Sequence, residues 1–169
     1  MGFLLVWYLN ELRVISVLNS NFFTMAQKFS NKIIATVHAP ATAVWRALTD
    51  PAMIKEYFFG VDTVGEWKEG STIIYSGDWQ GKKFQGKGKV LQVEDEKLLR
   101  HSYWSDMSRQ PDKPEFYHII TYQLKPAGDH TKLTLTEENL ASEEMKDKSA
   151  ELWEMILDNL KKLLEKESV

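Results

Sequence analysis

Residues 142–166 read SEEMKDKSAELWEMILDNLKKLLEK, and the rest of the chain is organised around this uninterrupted stretch. It contains no Gly or Pro, and its large apolar residues recur at steps of three and four: Leu152, Trp153, Ile156, Leu157, Leu160, Leu163 and Leu164. This spacing is typical of an amphipathic helix. Glu143 and Glu144 at its start and Lys166 near its end complement the helix dipole. A helix of roughly 25 residues is almost 40 Å long, so we expect it to lie diagonally across the concave face of a small sheet.

The chain upstream of this helix is rich in strand-forming residues separated by turns. Six strands are predicted, at residues 61–67, 71–76, 83–93, 97–104, 115–124 and 131–138. The turns between them fall at residues 68–70, 77–81, 94–96 and 126–129. Because these connections are short, we expect antiparallel hairpins. The longest irregular segment, residues 105–114, contains two prolines and is predicted to overhang one end of the sheet.

One further strand and two short helices are predicted before this region. Residues 33–38 alternate with period two and are followed by Pro40, which cannot donate a ladder hydrogen bond. Helical spacing predicts a first helix at residues 41–48. Asp50 before Pro51 is an N-cap signal for a second helix at residues 51–59, which Gly60 ends. Gly86 and Gly88 lie inside a predicted strand, where glycine marks a bend or a bulge.

Composition narrows the class of protein. The 169 residues are 43% hydrophobic and 27% charged, which is ordinary for a globular protein, and they fit one domain at residues 25–169 with an N-terminal extension at residues 1–24. The absence of cysteine excludes disulfides and thiol nucleophiles and is consistent with a cytoplasmic location, which we predict. A net charge of −3 argues against nucleic-acid binding. Aromatic residues reach 12%, with six Trp, and such rings fill cores or line apolar pockets.

The extension MGFLLVWYLNELRVISVLNSNFFT is strongly apolar up to Met25. A secretory signal has a basic residue before its apolar run, and this segment has none. Polar and charged residues between Asn10 and Arg13 also interrupt the run, which weakens the case for a membrane span. Three interpretations stay open: a segment upstream of a true start at Met25 or loosely attached to the domain, a helix packed on the domain, or a membrane-associated segment. The interruption argues against a membrane partner. Oligomeric state, monomer or homodimer, also stays open.

Residues 37–51, VHAPATAVWRALTDP, resemble the opening motif of the SRPBCC superfamily. Weaker matches follow in the same order: GEWKEGS at 65–71, GKGKVLQV at 86–93, TYQL at 121–124, TKLTLTEENL at 131–140, and Trp153. Within the superfamily, the chain is similar to the subfamily named after the activator of the heat-shock chaperone ATPase, over roughly residues 30–166. The resemblance implies an α+β helix-grip fold, also called START-like or Bet v-like. In this fold a curved antiparallel sheet of six to seven strands surrounds a long C-terminal helix, with two short helices after the first strand.

The resemblance also implies that any ligand site lies between the sheet and the long helix. Strand alternation and helix spacing then nominate the cavity lining: Tyr57, Phe58, Phe116, His118, Ile120, Tyr122, Leu135, Glu137, Trp153, Ile156 and Leu157. For residues 97–104 the inward face stays open between Leu99-His101-Tyr103 and Leu98-Trp104. His118, Tyr122 and Glu137 are the few polar groups of this set, and two readings of them compete. Either they are ligand or proton-transfer groups, or Glu137 lies in water at the cavity mouth and His118 is an ordinary sheet residue.

The sequence carries no set of catalytic residues, and no metal or cofactor is predicted. The four His lack metal-ligand spacing, the glycines form no phosphate loop, and no serine lies in a nucleophile elbow. We therefore predict a non-catalytic protein that binds a small apolar molecule. One alternative is a protein-interaction module like the chaperone activator. A third hypothesis is an enzyme like the polyketide cyclases and aromatases, which share the implied fold.

Overall fold

The computed structural model describes residues 28–166, so the extension at residues 1–24 lies outside the described part. The elements, in chain order, are β1 (Phe29–Val37), α1 (Ala41–Thr49), α2 (Pro51–Tyr57), β2 (Asp62–Val64), β3 (Thr72–Trp79), β4 (Lys82–Glu94), β5 (Leu98–Ser105), β6 (His118–Ala127), β7 (His130–Leu140) and α3 (Glu143–Lys166). The strands form one antiparallel sheet in the order β1-β7-β6-β5-β4-β3-β2. This curved seven-stranded sheet around a long C-terminal helix confirms the α+β helix-grip class.

The helices begin where the sequence places their caps. The Asp50 side chain accepts a hydrogen bond from the backbone N–H of Ala52 at 2.9 Å, with Pro51 at the first helical position. The Ser142 Oγ accepts from the backbone N–H of Met145 at 3.1 Å at the start of α3. Helix α2 ends earlier than predicted, at Tyr57, and left-handed backbone at Phe59 and Gly60 then redirects the chain toward β2.

Helix α3 covers the concave face of the sheet with its apolar side. Its buried residues are Trp153, Ile156, Leu157, Leu160 and Leu164. Two hydrogen bonds fix its ends against β1 and the segment that follows it. The Asn31 Nδ2 donates to the Lys146 carbonyl at 2.8 Å, and the backbone N–H of His38 donates to the Glu165 Oε1 at 3.2 Å. The first and last elements of the described chain are therefore joined directly.

The bend in the sheet differs from the one expected at Gly86 and Gly88. The register of β4 against β5 shifts between Val90 and Gln92, which places a bulge at Leu91. Gly88 instead permits close contact between strands, because a Cβ built at that position would lie 1.8 Å from the carbonyl oxygen of Ser102. At this point a side chain takes the place of a backbone acceptor between β4 and β5, because the Lys89 backbone N–H donates to the Ser102 Oγ at 2.9 Å.

Several predicted strand limits were wrong. Strand β1 begins four residues earlier than expected, β2 spans three residues in place of residues 61–67, and β3 runs through the predicted turn to Trp79. The hairpin after β3 is closed by Gln80 and Gly81, both at positive φ, as a tight two-residue turn requires. The strand predicted at residues 115–124 begins at His118, because Pro114–Phe116 form a 3-10 turn. No helix among residues 28–166 is long and apolar enough to cross a membrane.

Candidate functional site

A cavity of about 720 Å³ lies between the sheet and helix α3. Its walls come from α2 and the turn after it, from strands β3 to β7, and from the first half of α3. Ten aromatic residues line it: Tyr57, Phe58, Phe59, Trp67, Tyr75, Trp79, Phe84, Tyr103, Tyr122 and Trp153. The aromatic excess of the sequence is therefore concentrated on this wall.

The rings on the wall contact one another in a continuous series. The centroids of Phe58 and Trp153 are 5.9 Å apart, and those of Trp153 and Tyr122 are 6.1 Å apart, edge to face. The series continues from Tyr122 to His101 at 6.1 Å and from His101 to Trp67 at 5.8 Å. These separations are typical of favourable aromatic pairs. The wall is consequently preformed and offers flat apolar surfaces.

Glu137 is the polar centre of the cavity wall, and its side chain is 4% exposed. Three donors converge on its carboxylate. His118 Nδ1 lies 3.0 Å from Oε1, the Trp153 Nε1 donates to Oε2 at 3.1 Å, and the Ser149 Oγ also donates to Oε2. Ser149 and Trp153 are four residues apart on α3, so they lie on one helix face above β7. The carboxylate thus joins two strands to the helix.

This arrangement compensates the cost of burying a charge. An unpaired carboxylate in an apolar interior is strongly disfavoured, whereas one with several donors is retained. An ionised carboxylate only accepts hydrogen bonds, so Nδ1 of His118 carries the hydrogen of that contact. The reading that placed Glu137 in water at the cavity mouth is wrong, because the side chain is buried and fully hydrogen-bonded.

A second histidine, His101, lies in the wall on β5 and is 3% exposed. Its Nδ1 lies 3.0 Å from the Ser102 carbonyl oxygen and donates to it, since a carbonyl only accepts. Burial lowers the pKa of His101 to about 4, so the ring is neutral at neutral pH. Burial also raises the pKa of Tyr57, Tyr75 and Tyr122. These phenol groups therefore stay protonated.

Two polar atoms of lining residues are buried with no hydrogen-bond partner among residues 28–166. They are the Tyr75 Oη and the Trp67 Nε1. Both rings contact His101, at 6.3 Å and 5.8 Å between centroids. Such unpaired groups cost stability in a folded protein.

The structure places eight of the eleven nominated residues on the cavity wall: Tyr57, Phe58, His118, Ile120, Tyr122, Glu137, Trp153 and Ile156. Three lie elsewhere. Phe116 is in the 3-10 turn, because the Asn139 Nδ2 donates to the carbonyls of Glu115 and Tyr117 and takes the place of a strand ladder. Leu135 is fully buried in the core, and Leu157 packs in the core about 100° around the helix from Ile156.

Several lining residues were not nominated from the sequence. His101 and Tyr103 line the cavity, which settles the inward face of β5 that alternation alone left open. Trp67 was predicted to end a strand at residues 61–67, but it lies in an irregular segment between β2 and β3. Ser149 had a signal, since it lies one helical turn before Trp153. Among residues 28–166, no group of three or more His, Asp or Glu side chains is arranged to hold a metal ion.

Comparison with known proteins agrees with this geometry. The family described as Activator of Hsp90 ATPase homolog 1-like protein matches residues 38–165. The solution structure of ChR145 from Cytophaga hutchinsonii is 36% identical, with a TM-score of 0.72 and coverage of 83% of this chain and 96% of that one. CalU16 from Micromonospora echinospora is 29% identical, with a TM-score of 0.61 and coverage of 78% and 73%.

DynU16, a putative protein in the dynemicin biosynthetic locus, shares the fold at 19% identity, with a TM-score of 0.67 and coverage of 80% of this chain and 47% of that one. No match was found among curated proteins. The family match begins at the residue after β1 and reaches the last turn of α3, and it includes every strand that lines the cavity. The chain therefore belongs to the family of Activator of Hsp90 ATPase homolog 1-like proteins, within the SRPBCC superfamily.

Proposed function

We propose that this protein binds a small, mainly apolar molecule in the cavity between the sheet and α3 without transforming it. The observation that carries the proposal is the aromatic cavity of about 720 Å³ beneath the long helix. Ligand pockets for small molecules commonly measure roughly 300–1,000 Å³ and combine apolar walls with a few polar groups. The wall described here has that composition.

The energetics of such binding follow from the lining. An apolar molecule that enters gains roughly 25 cal/mol for each Å² of apolar surface removed from water. The ring series from Phe58 to Trp67 is held by mutual contacts, so little side-chain ordering is needed on binding. The cavity also favours binding over the protein-interaction alternative, which would need no internal space.

A fluorescent apolar probe, N-phenyl-1-naphthylamine, tests the proposal directly. Leu152 lines the cavity from α3, whereas Met155 on the same helix has 50% of its surface exposed. We expect the wild type to bind the probe with increased emission and to melt at a higher temperature in its presence, because a ligand stabilises the state that binds it. Leu152→Trp should fill part of the cavity and weaken binding at least tenfold.

Met155→Trp is the matched control, because it adds the same ring on the solvent side of α3. It should bind the probe as the wild type does. Probe binding that is absent in the wild type, or equal in both variants, would contradict a ligand site in this cavity.

The His118–Glu137 pair supports a second candidate, an enzyme that transfers a proton on a cavity-bound substrate. A histidine oriented by a buried carboxylate is a common general base. Glu137→Gln separates the candidates: an enzyme would lose turnover of its substrate by at least a hundredfold while ligand affinity changes less. Unchanged turnover in this variant would exclude acid–base chemistry at the pair.

A further inference from the structure

We propose that the Nε2 atom of His118 accepts a hydrogen bond from a hydroxyl group of the ligand, so that the ligand is a hydroxylated aromatic molecule of the phenol or enol type. This inference rests on the proposed function, because it names the chemistry of a molecule bound in the same cavity. Three features of the structure carry it: the fixed orientation of the His118 ring, the free state of its second nitrogen, and the completed hydrogen bonding of Glu137.

The orientation of the His118 ring is fixed by the hydrogen bond of its Nδ1 atom to Glu137. The His118 Nδ1 donates to Glu137 Oε1 at 3.0 Å, and Glu137 is held in turn by Ser149 and Trp153 from α3. In a neutral imidazole with the hydrogen on Nδ1, the Nε2 atom has a lone pair and acts only as an acceptor. The neutral form of the pair, with the hydrogen on Nδ1, therefore presents one acceptor at Nε2.

That acceptor reaches the cavity. His118 lines the cavity, and its side chain is 20% exposed whereas that of Glu137 is 4% exposed. Within residues 28–166 Nε2 has no hydrogen-bond partner, yet it is not one of the polar atoms sealed from solvent by packing. A group that enters the cavity can therefore contact it without moving the wall.

The neighbouring groups define which chemistry fits. The Glu137 carboxylate already accepts three hydrogen bonds, and the Ser149 hydroxyl is used to donate one of them. A ligand carbonyl or ether oxygen opposite Nε2 would face it lone pair to lone pair, whereas a hydroxyl would donate to it. Tyr122 and Trp153, in contact edge to face beside this point, supply flat surfaces for the ring that carries the hydroxyl.

A pair of matched probes tests the inference by titration calorimetry: 2-naphthol, which donates a hydrogen bond, and 2-methoxynaphthalene, which does not. We expect wild-type protein to bind 2-naphthol about tenfold more tightly, as one well-placed hydrogen bond provides. On binding of 2-naphthol, the ¹⁵N resonance of His118 Nε2 should also move toward that of a hydrogen-bonded acceptor. A merely structural histidine would not show this shift.

His118→Asn is the decisive variant, because an Asn side chain can still donate to Glu137 from near the Nδ1 position but has no atom at Nε2. It should remain folded and bind 2-naphthol and 2-methoxynaphthalene with about equal affinity, so that the preference for 2-naphthol is lost. His118→Gln, which places its amide near Nε2, should restore part of the preference. Equal binding of both probes to the wild type would overturn the inference and leave the proposed function standing.

A preference retained in His118→Asn would also overturn the inference, because the hydroxyl would then contact another acceptor such as His101. Binding of neither probe to the wild type would overturn the proposed function and this inference with it.

Discussion

Glu137 is nearly removed from water, yet both of its carboxylate oxygens accept hydrogen bonds. In the sequence, strand alternation placed Glu137 on the same face as Leu133 and Leu135, near the end of the strand, and a position in water at the cavity mouth stayed open as the alternative. The residues that make its burial tolerable, Ser149 and Trp153, come from an element that begins after β7 has ended. A carboxylate of this kind is a structural connection as well as a site group.

Replacing Glu137 by Gln should lower the free energy of unfolding by about 2–4 kcal/mol, because an amide cannot accept all three hydrogen bonds. Urea denaturation followed by Trp fluorescence measures the loss. Glu138→Gln is the control, since the neighbouring Glu138 side chain is 48% exposed and its ion pair with Arg100 is long, at 3.4 Å. The control should cost no more than about 0.5 kcal/mol, and equal losses in the two variants would contradict a buried role for Glu137.

His101 should make stability depend on pH on the acidic side. Burial lowers its pKa from 6.5 to about 4, so below pH 6.5 the unfolded chain binds a proton that the folded chain does not. This contribution to stability is present in full above pH 6.5 and is lost as the pH falls toward 4. Between pH 6.5 and 5 the loss is about 1.5 kcal/mol.

Urea denaturation of the wild type and of His101→Gln across this range tests the effect, because the variant should lose part of the pH dependence. The ring protons of His101 should also show no NMR titration above about pH 5. Identical pH profiles for the two proteins would show that this histidine is not buried in the neutral form.

Tyr75 has a buried hydroxyl with no partner within residues 28–166, so Tyr75→Phe should leave stability unchanged or raise it by about 1 kcal/mol. Tyr117→Phe is the contrasting variant, because the Tyr117 hydroxyl donates to Asp112 at 2.7 Å on the surface. That change should cost about 0.5–1 kcal/mol. Thermal melting distinguishes the two, and a clear loss in Tyr75→Phe would reveal a partner for its hydroxyl.

At the scale of elements, strands β4 and β5 show how a local residue shapes the sheet. Gly88→Ala would place a methyl group on the Ser102 carbonyl oxygen, so the two strands would have to separate. We expect a loss of at least about 3 kcal/mol, in the range of severe overpacking. Gly128→Ala, at φ +70° with no atom within 4 Å, should cost only about 1 kcal/mol from its backbone conformation. Chemical denaturation of both variants tests which substitution costs more stability. A smaller loss in Gly88→Ala than in Gly128→Ala would show that β4 tolerates a side chain at position 88.

The elements were largely predictable, since each rests on a local pattern. Helix α3 follows from apolar spacing and from the absence of Gly and Pro, and α2 from Asp50 followed by Pro51. The wrong strand limits also have physical causes. The strand predicted through Phe116 failed because the Asn139 side chain, 23 residues away, satisfies the carbonyls of that segment. A hydrogen bond from a side chain on a distant strand overrides the local strand propensity here. The residues near Phe116 in the sequence do not reveal that this hydrogen bond forms.

At the scale of the whole molecule, the ends of the described chain stabilise each other. Strand β1 pairs with β7, and Asn31 donates to Lys146 across 115 positions of sequence. Because sheet, helix and cavity wall share these contacts, we expect urea unfolding in a single transition. Far-ultraviolet circular dichroism, which reports the backbone, and Trp fluorescence, which reports the cavity wall, should give the same midpoint. Two separated midpoints would show that the cavity opens before the sheet unfolds.

Local patterns were enough to predict the long amphipathic helix and its two short companions, because periodicity and capping are encoded within a few residues of each position. The family resemblance implied the class of fold. Four of the ten aromatic wall residues, Tyr57, Phe58, Tyr122 and Trp153, were also nominated from the sequence. Tertiary structure decided what surrounds each polar group. It buried Glu137 beneath Ser149 and Trp153, turned His101 inward among aromatic rings and placed the His118 side chain on the cavity wall. Hydrogen-bond partners and burial depend on atoms far apart in the chain, so they arise only when the sheet closes around the helix.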